Sequence, residues 1–158
     1  MKKRKMNFES KTDGMKISDI INVTGGTPRN INENISNTVL LGVCTDTRES
    51  VENMLFVALV GENFDGHSFV EKAFERGAVC ALCQREICTD KPYIITNNTV
   101  VSYGKIAAWH RLFGKASFIG ITGSVGKTTT KEAVSAVLGA KMKVLKTEGN
   151  FNNEIGVP

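Results

Sequence analysis

Cysteine, proline and long apolar runs are all scarce in this 158-residue chain. Its four cysteines, Cys44, Cys80, Cys83 and Cys88, are too few and too clustered for a disulfide framework and read as free thiols. With 3 prolines and 23% charged residues, the composition excludes collagen-like, coiled-coil and disordered classes, and 41% hydrophobic residues suffice to bury a core. The longest uncharged apolar stretch, Met54 to Val60, falls far short of the roughly 20 residues of a bilayer span. No apolar run follows the basic N-terminus as a secretory signal requires. The expectation is therefore a protein without membrane insertion, placed in the cytoplasm.

Charge of one sign is also in short supply. The net charge is +4, but residues 1–14 hold five Lys/Arg against Glu9 and Asp13, a net +3, which leaves +1 for the rest. This leader lacks apolar periodicity and aromatic interleaving, so it reads as a disordered basic extension, and no nucleic-acid partner is expected.

From Met15 onward, short strands alternate with helices. Ser18 is a candidate cap for a helix stopping at Gly25-Gly26, and Val39, Leu41 and Val43 alternate as a half-buried strand does. Met54 to Val60 has the continuous apolar character of a strand covered on both faces. Ser68 with Glu71 suggests a capping box for a helix ending at Gly77. Strands are expected at Ala78 to Cys83 and Tyr93 to Thr96. A third helix is expected from about Thr99 to Phe113, with Ile106, Trp109 and Phe113 on its core side. Strand and helix alternating in this way is an α/β pattern.

A second unit begins near Ser117: a strand to Ile121, a loop, a helix carrying Val134, Val137 and Leu138, and a strand around Lys143 to Lys146. The expected organisation is a leader over 1–14, a first domain over 15–114, and the start of a second over 115–158. That second unit is too short for an ordinary α/β domain and is expected to be truncated, with apolar surface left uncovered.

Its loop carries the clearest chemistry. Gly123, Ser124, Val125, Gly126, Lys127, Thr128 and Thr129 lie between an apolar segment and a helix. Backbone N–H groups in such a turn converge on a phosphate, Lys127 neutralises its outer oxygens, and the Thr128 hydroxyl can ligate Mg²⁺. The spacing is a variant, because the strict phosphate-loop pattern wants Gly at 121, where this chain has Ile121. Farther on, Asn150, Asn152 and Asn153 form an uncharged loop able to grip a polar ligand. Two other constellations lose to plainer readings. Cys80 and Cys83 stand three apart on a strand and so face opposite sides, which argues against zinc. His67 follows Asp65-Gly66 at a helix start, where shaping the loop or touching substrate suits it better than acid–base work.

ITGSVGKTTTKEAV, followed by GNFNNEIGVP, resembles the start of the ATP-binding central domain of the Mur ligases of peptidoglycan synthesis. CTDTRESVENMLFVALVGENFDGHSFVEKAFERGA upstream is similar to their N-terminal, UDP-binding domain. The resemblance covers about Met15 to Pro158. It implies a mixed α/β UDP-binding domain followed by the truncated start of a P-loop domain. NFNNEIGVP is most similar to the members that join D-Ala-D-Ala to UDP-N-acetylmuramoyl-tripeptide through an acyl phosphate. Cell-wall synthesis, and with it cell shape and division, would be the setting.

By the same resemblance, Gly123 to Thr129 would hold the phosphates of ATP, Lys127 would be catalytic, and Thr128 would bind Mg²⁺. Asn150, Asn152 and Asn153 would face the muramoyl-peptide. Thr47 and Arg48, beside Asp46, together with Asp65, Gly66 and His67 in the loop from Gly61, would hold the uridine end. The full-length enzyme would be a monomer, and this chain alone would be inactive. The competing readings are a Mur ligase adding the third amino acid, a UDP-sugar binding module, and an unrelated P-loop ATPase or GTPase.

Overall fold

A computed structural model describes residues 14–49, 51–61, 64–112 and 116–147. The chain divides into two compact units, Met1–Gly114 and Lys115–Pro158.

In chain order the first unit contains α1 (Ile17–Thr24), β1 (Thr27–Arg29), α2 (Glu33–Ser36), β2 (Val43–Cys44), β3 (Leu55–Val57), β4 (Val60–Gly61) and β5 (Phe64–Asp65). A 3₁₀ turn (Gly66–Phe69) then leads into α3 (Val70–Glu75), β6 (Cys80–Cys83), β7 (Tyr93–Ile95) and α4 (Thr99–Arg111). Five strands form one sheet in the order β1-β7-β6-β3-β2. β2, β3, β6 and β7 run parallel, and β1 joins β7 antiparallel. β4 and β5 make a separate antiparallel hairpin.

The run from Met54 reads as buried on both faces because its neighbours cover both. Leu55 and Val57 point into a core with Ile17 and Ile20 of α1, Leu82 of β6, Ile94 of β7 and Ile106 of α4. Phe56 and Ala58 point into the other, with Val70 and Ala73 of α3 and Ala81 of β6. Each large side chain so buried contributes about 1.5–3 kcal/mol. Cys80 belongs to the first core and Cys83 to the second, so the strand's two-residue period separates the thiols.

Several local expectations are corrected. The first helix is capped at Lys16, whose N–H donates to Asp19 Oδ2 at 2.9 Å, so Ser18 lies inside the helix. Val39 and Leu41 are not on the buried face: they are 43% and 73% exposed, while Leu40 between them is buried. The strand itself is only Val43–Cys44. Apolar residues at 39, 40 and 41 let alternation fit either parity; the bonds Leu40 N–H to Met15 O and Leu41 N–H to Asn53 O select the other one. Ser68 does not open a helix with Glu71; Asp65 caps the 3₁₀ turn instead, accepting the His67 N–H. Trp109 is half-buried, and Phe113 lies outside the described residues.

The second unit contains α5 (Lys127–Gly139). Among its described residues no strand forms at Ser117 to Ile121 or at Lys143 to Lys146. A strand is defined by a paired neighbour, and the described residues here supply none. Phe118, Ile119, Val125, Val137 and Leu145 are exposed, while Val134 and Leu138 are partly buried. Val137 shares a face of α5 with Val134 and Leu138, at three- and four-residue spacing, and is the most exposed of the three. Lys146 pairs with Glu132, and Lys131 Nζ donates to Thr147 O at 2.6 Å, holding the segment after α5 along the helix.

Candidate functional site

Parallel strands place their C-terminal ends at one sheet edge, and ligands of open α/β sheets bind at that edge. In the first unit the segments leaving β2, β3, β6 and β7 there are Thr45 to Arg48, Ala58 to Gly61, Gln84-Arg85 and Thr96 to Asn98.

Behind β2, Asp46 folds the turn around itself. Its Oδ1 accepts the Arg48 N–H at 2.9 Å, and its carboxylate receives Arg48 Nε and Nη2, the latter at 2.5 Å. The Arg48 guanidinium holds the Asp46 carboxyl at about 2, well below the usual carboxylate range. Arg48 is exposed, whereas Thr47 is buried, so these two candidate substrate residues are placed differently.

Asp65, Gly66 and His67 form a tight knot. Gly66 N–H donates to Leu59 O at 2.8 Å, and a Cβ on Gly66 would sit 2.7 Å from that oxygen and 2.8 Å from Leu59 N. Only glycine permits the approach. His67 has its side chain 3% exposed, with Nδ1 2.6 Å from Asp65 Oδ1. Its Nε2 accepts the Gln84 N–H at 2.9 Å, so the proton of the neutral ring is on Nδ1. Both ring nitrogens are therefore engaged within the fold. Asp65 also receives Arg85 Nη2 at 2.7 Å. The His67 backbone and ring donors, then Arg85, hold the Asp65 carboxyl at about 2.

Sequence reasoning missed Gln84 and Arg85. The available signal was their position directly after the buried run Cys80 to Cys83, where a parallel strand delivers its next residues to the binding edge.

In the second unit Gly126 adopts φ of 79°, a left-handed conformation suited to glycine, and Lys127 is the first residue of α5. Lys127 Nζ donates back to Gly123 O at 2.6 Å, closing the loop on itself. Ser124, Val125, Thr128 and Thr129 are exposed, so the N-terminal turn of α5 opens to solvent. The N–H groups of a helix N-terminus, with a lysine beside them, suit a phosphate anion. Asn150, Asn152 and Asn153 lie outside the described residues.

Two family models match the chain: "Mur ligase family, catalytic domain" over residues 40–112 and "Mur ligase middle domain" over residues 121–158. The chain belongs to the Mur ligase family. Among curated Mur ligases, the UDP-N-acetylmuramoyl-tripeptide–D-alanyl-D-alanine ligase of Bacillus subtilis is 44% identical over 130 residues, covering 80% of this chain and 28% of that enzyme. The Synechocystis enzyme of the same name is 46% identical over 125 residues, covering 73% of this chain and 26% of that enzyme. This Mur ligase chain thus spans about a quarter of the length of those relatives. Among solved structures, MurF from Acinetobacter baumannii superposes with a TM-score of 0.79 at 31% identity, covering 90% of this chain and 31% of that one. MurF ligase from Thermotoga maritima in complex with ADP gives a TM-score of 0.65 at 34% identity, covering 73% of this chain and 27% of that one.

Proposed function

We propose that this chain is the N-terminal part of an ATP-dependent ligase that joins D-Ala-D-Ala to UDP-N-acetylmuramoyl-tripeptide. The first unit holds the uridine end of the nucleotide-linked substrate, and the second opens the ATP-binding domain. The observation that carries the reading is the 44% identity to the Bacillus subtilis ligase of that specificity, over an alignment of 130 residues that covers 80% of this chain.

The local geometry supports the division of labour. At the edge of the first unit, Arg48 and Arg85 carry positive charge on carboxylate-anchored side chains, which suits a diphosphate. Asp65, Gly66 and His67 shape the loop beside them. Thr47 is buried next to Arg48 in the sequence, and Asn150, Asn152 and Asn153 are assigned to the muramoyl-peptide by family resemblance.

The residues of the second unit fit a polyphosphate. Gly123 to Gly126 and the first turn of α5 offer backbone N–H groups, and Lys127 gives its charge to the outer phosphate oxygens. Thr128 offers one hydroxyl to Mg²⁺; among the described residues no group of three or more His, Cys, Asp or Glu gathers to hold an ion. Bound ATP would supply the phosphoryl group that converts the peptide carboxylate to an acyl phosphate, open to attack by the dipeptide amine. Lys127, Thr128 and the loop orient that phosphate and neutralise charge.

Calorimetric titration of the 158-residue chain with UDP and with ATP tests the reading. UDP binding that is lost in Arg48→Ala, and an ATP response weakened by Lys127→Ala, are the expected results. A chain that ignores UDP while binding GTP or ATP tightly would overturn it.

A further inference from the structure

We propose that Gln84 is a positioning residue for the binding edge of the first unit, locking the Asp65–His67 segment and the N-terminus of α4 into one register. The inference rests on the reading of that edge as a nucleotide site.

Gln84 is the first residue beyond β6 and makes contacts in two directions. Its backbone N–H donates to His67 Nε2 at 2.9 Å. Its side-chain Oε1 accepts the Thr99 N–H at 2.8 Å and lies 3.0 Å from Thr99 Oγ1. Thr99 is fully buried, and its hydroxyl also lies 2.9 Å from Ala58 O at the end of β3. The ends of β3 and β6 and the start of α4 therefore meet at this one side chain.

The backbone arm closes a ring. Gln84 N–H fixes the His67 proton on Nδ1, that nitrogen meets Asp65 Oδ1, and Asp65 Oδ2 receives Arg85, the residue covalently next to Gln84. A shift of Gln84 therefore moves both Arg85 and the loop carrying Asp65. The side-chain arm holds Gln84 itself in place. Asn98 Oδ1 caps the Val101 N–H, so the Thr99 N–H depends on Gln84. Because Thr99 is sealed from solvent, water does not replace that acceptor. A carboxylate suits the same position, since the N-terminus of a helix favours negative charge.

The test compares Gln84→Ala, Gln84→Asn and Gln84→Glu in the 158-residue chain. It uses UDP as the probe in calorimetry, with amide hydrogen exchange at Thr99 and the His67 Nδ1–H resonance as ligand-free readouts. Gln84→Ala and Gln84→Asn, which remove or withdraw the acceptor, are expected to weaken UDP binding about threefold to tenfold. They should also speed exchange at Thr99 and shift the His67 resonance. Gln84→Glu should restore UDP affinity to within about twofold of the parent, because it keeps the acceptor. Unchanged UDP affinity in Gln84→Asn, or a Gln84→Glu variant as weak as Gln84→Ala, would overturn the proposal. Should the parent chain ignore UDP, the nucleotide reading falls. Thr99 exchange and the His67 resonance then decide on Gln84: both altered by Gln84→Asn and restored by Gln84→Glu supports it, and both unaltered sinks it.

Discussion

His67 accepts the backbone N–H of Gln84 through Nε2 at 2.9 Å while its Nδ1 faces Asp65 at 2.6 Å, so a buried imidazole joins a strand end to a loop 17 residues earlier. Replacing the ring by His67→Phe keeps apolar bulk but leaves the Gln84 N–H and the Asp65 oxygen without it. The expected cost is about 1–3 kcal/mol of unfolding free energy. Denaturant unfolding of the two chains measures it, and equal stability would show that the ring is not a link.

Gly66 should tolerate no side chain. Its missing Cβ would meet backbone atoms of Ala58 and Leu59 at 2.7 to 2.9 Å, and backbone gives way less readily than a flexible side chain. Gly66→Ala is expected to cost about 1–3 kcal/mol, as overpacking does. A melting temperature within a degree of the parent's would contradict the tight approach.

Acid should loosen the same knot. The Asp65 carboxyl is held at about 2 by its His67 and Arg85 donors, against about 3.9 in an unfolded chain. A depressed carboxylate contributes stability that is fully present above about pH 4 and is lost as the pH falls towards 2. Asp65→Asn should therefore flatten the stability profile between about pH 4 and pH 2, and leave some slope from Asp46, also held at about 2. Urea midpoints measured across that range check the sign; a variant whose midpoint falls as steeply as the parent's would contradict it.

The thiols should divide three to one. Cys44, Cys80 and Cys83 are buried and Cys88 is exposed. Burial pushes the Cys80 and Cys83 thiols up to about 12, and it raises that of Cys44. A thiol-reactive chromophore should label one cysteine rapidly in the folded chain and the other three after unfolding. Rapid labelling of Cys80 or Cys83, or tight zinc binding by the pair, would mean that they are not on opposite faces of β6.

Much of this architecture is legible in the residues themselves. The apolar run at 54 to 60 yields a strand buried on both faces, and the spacing of Cys80 and Cys83 puts them in different cores. Three apolar residues in a row at 39 to 41 hide which one turns inward, because that choice is made by backbone bonds to Met15 and Asn53, distant in sequence. Ser68 looks like a cap until the side chain of Asp65, three residues earlier, takes the role. His67 is noticeable from its neighbours, but its partner Gln84 emerges only when β6 is placed beside β3. Segments 117–121 and 143–146 have strand composition without a paired neighbour among the described residues, and composition alone cannot supply one.

The phosphate-loop assignment and the ligase reading meet in a single assay. Residues 1–158 of this chain replace the matching N-terminal segment of one of the curated relatives, and phosphate release is followed with UDP-N-acetylmuramoyl-tripeptide and D-Ala-D-Ala. The account predicts release that requires the dipeptide and that falls about a hundred- to a thousandfold in Lys127→Ala, with UDP-substrate binding retained. A folded, UDP-binding hybrid that releases no phosphate in response to the dipeptide, or a Lys127→Ala hybrid that turns over at the parent rate, would contradict it.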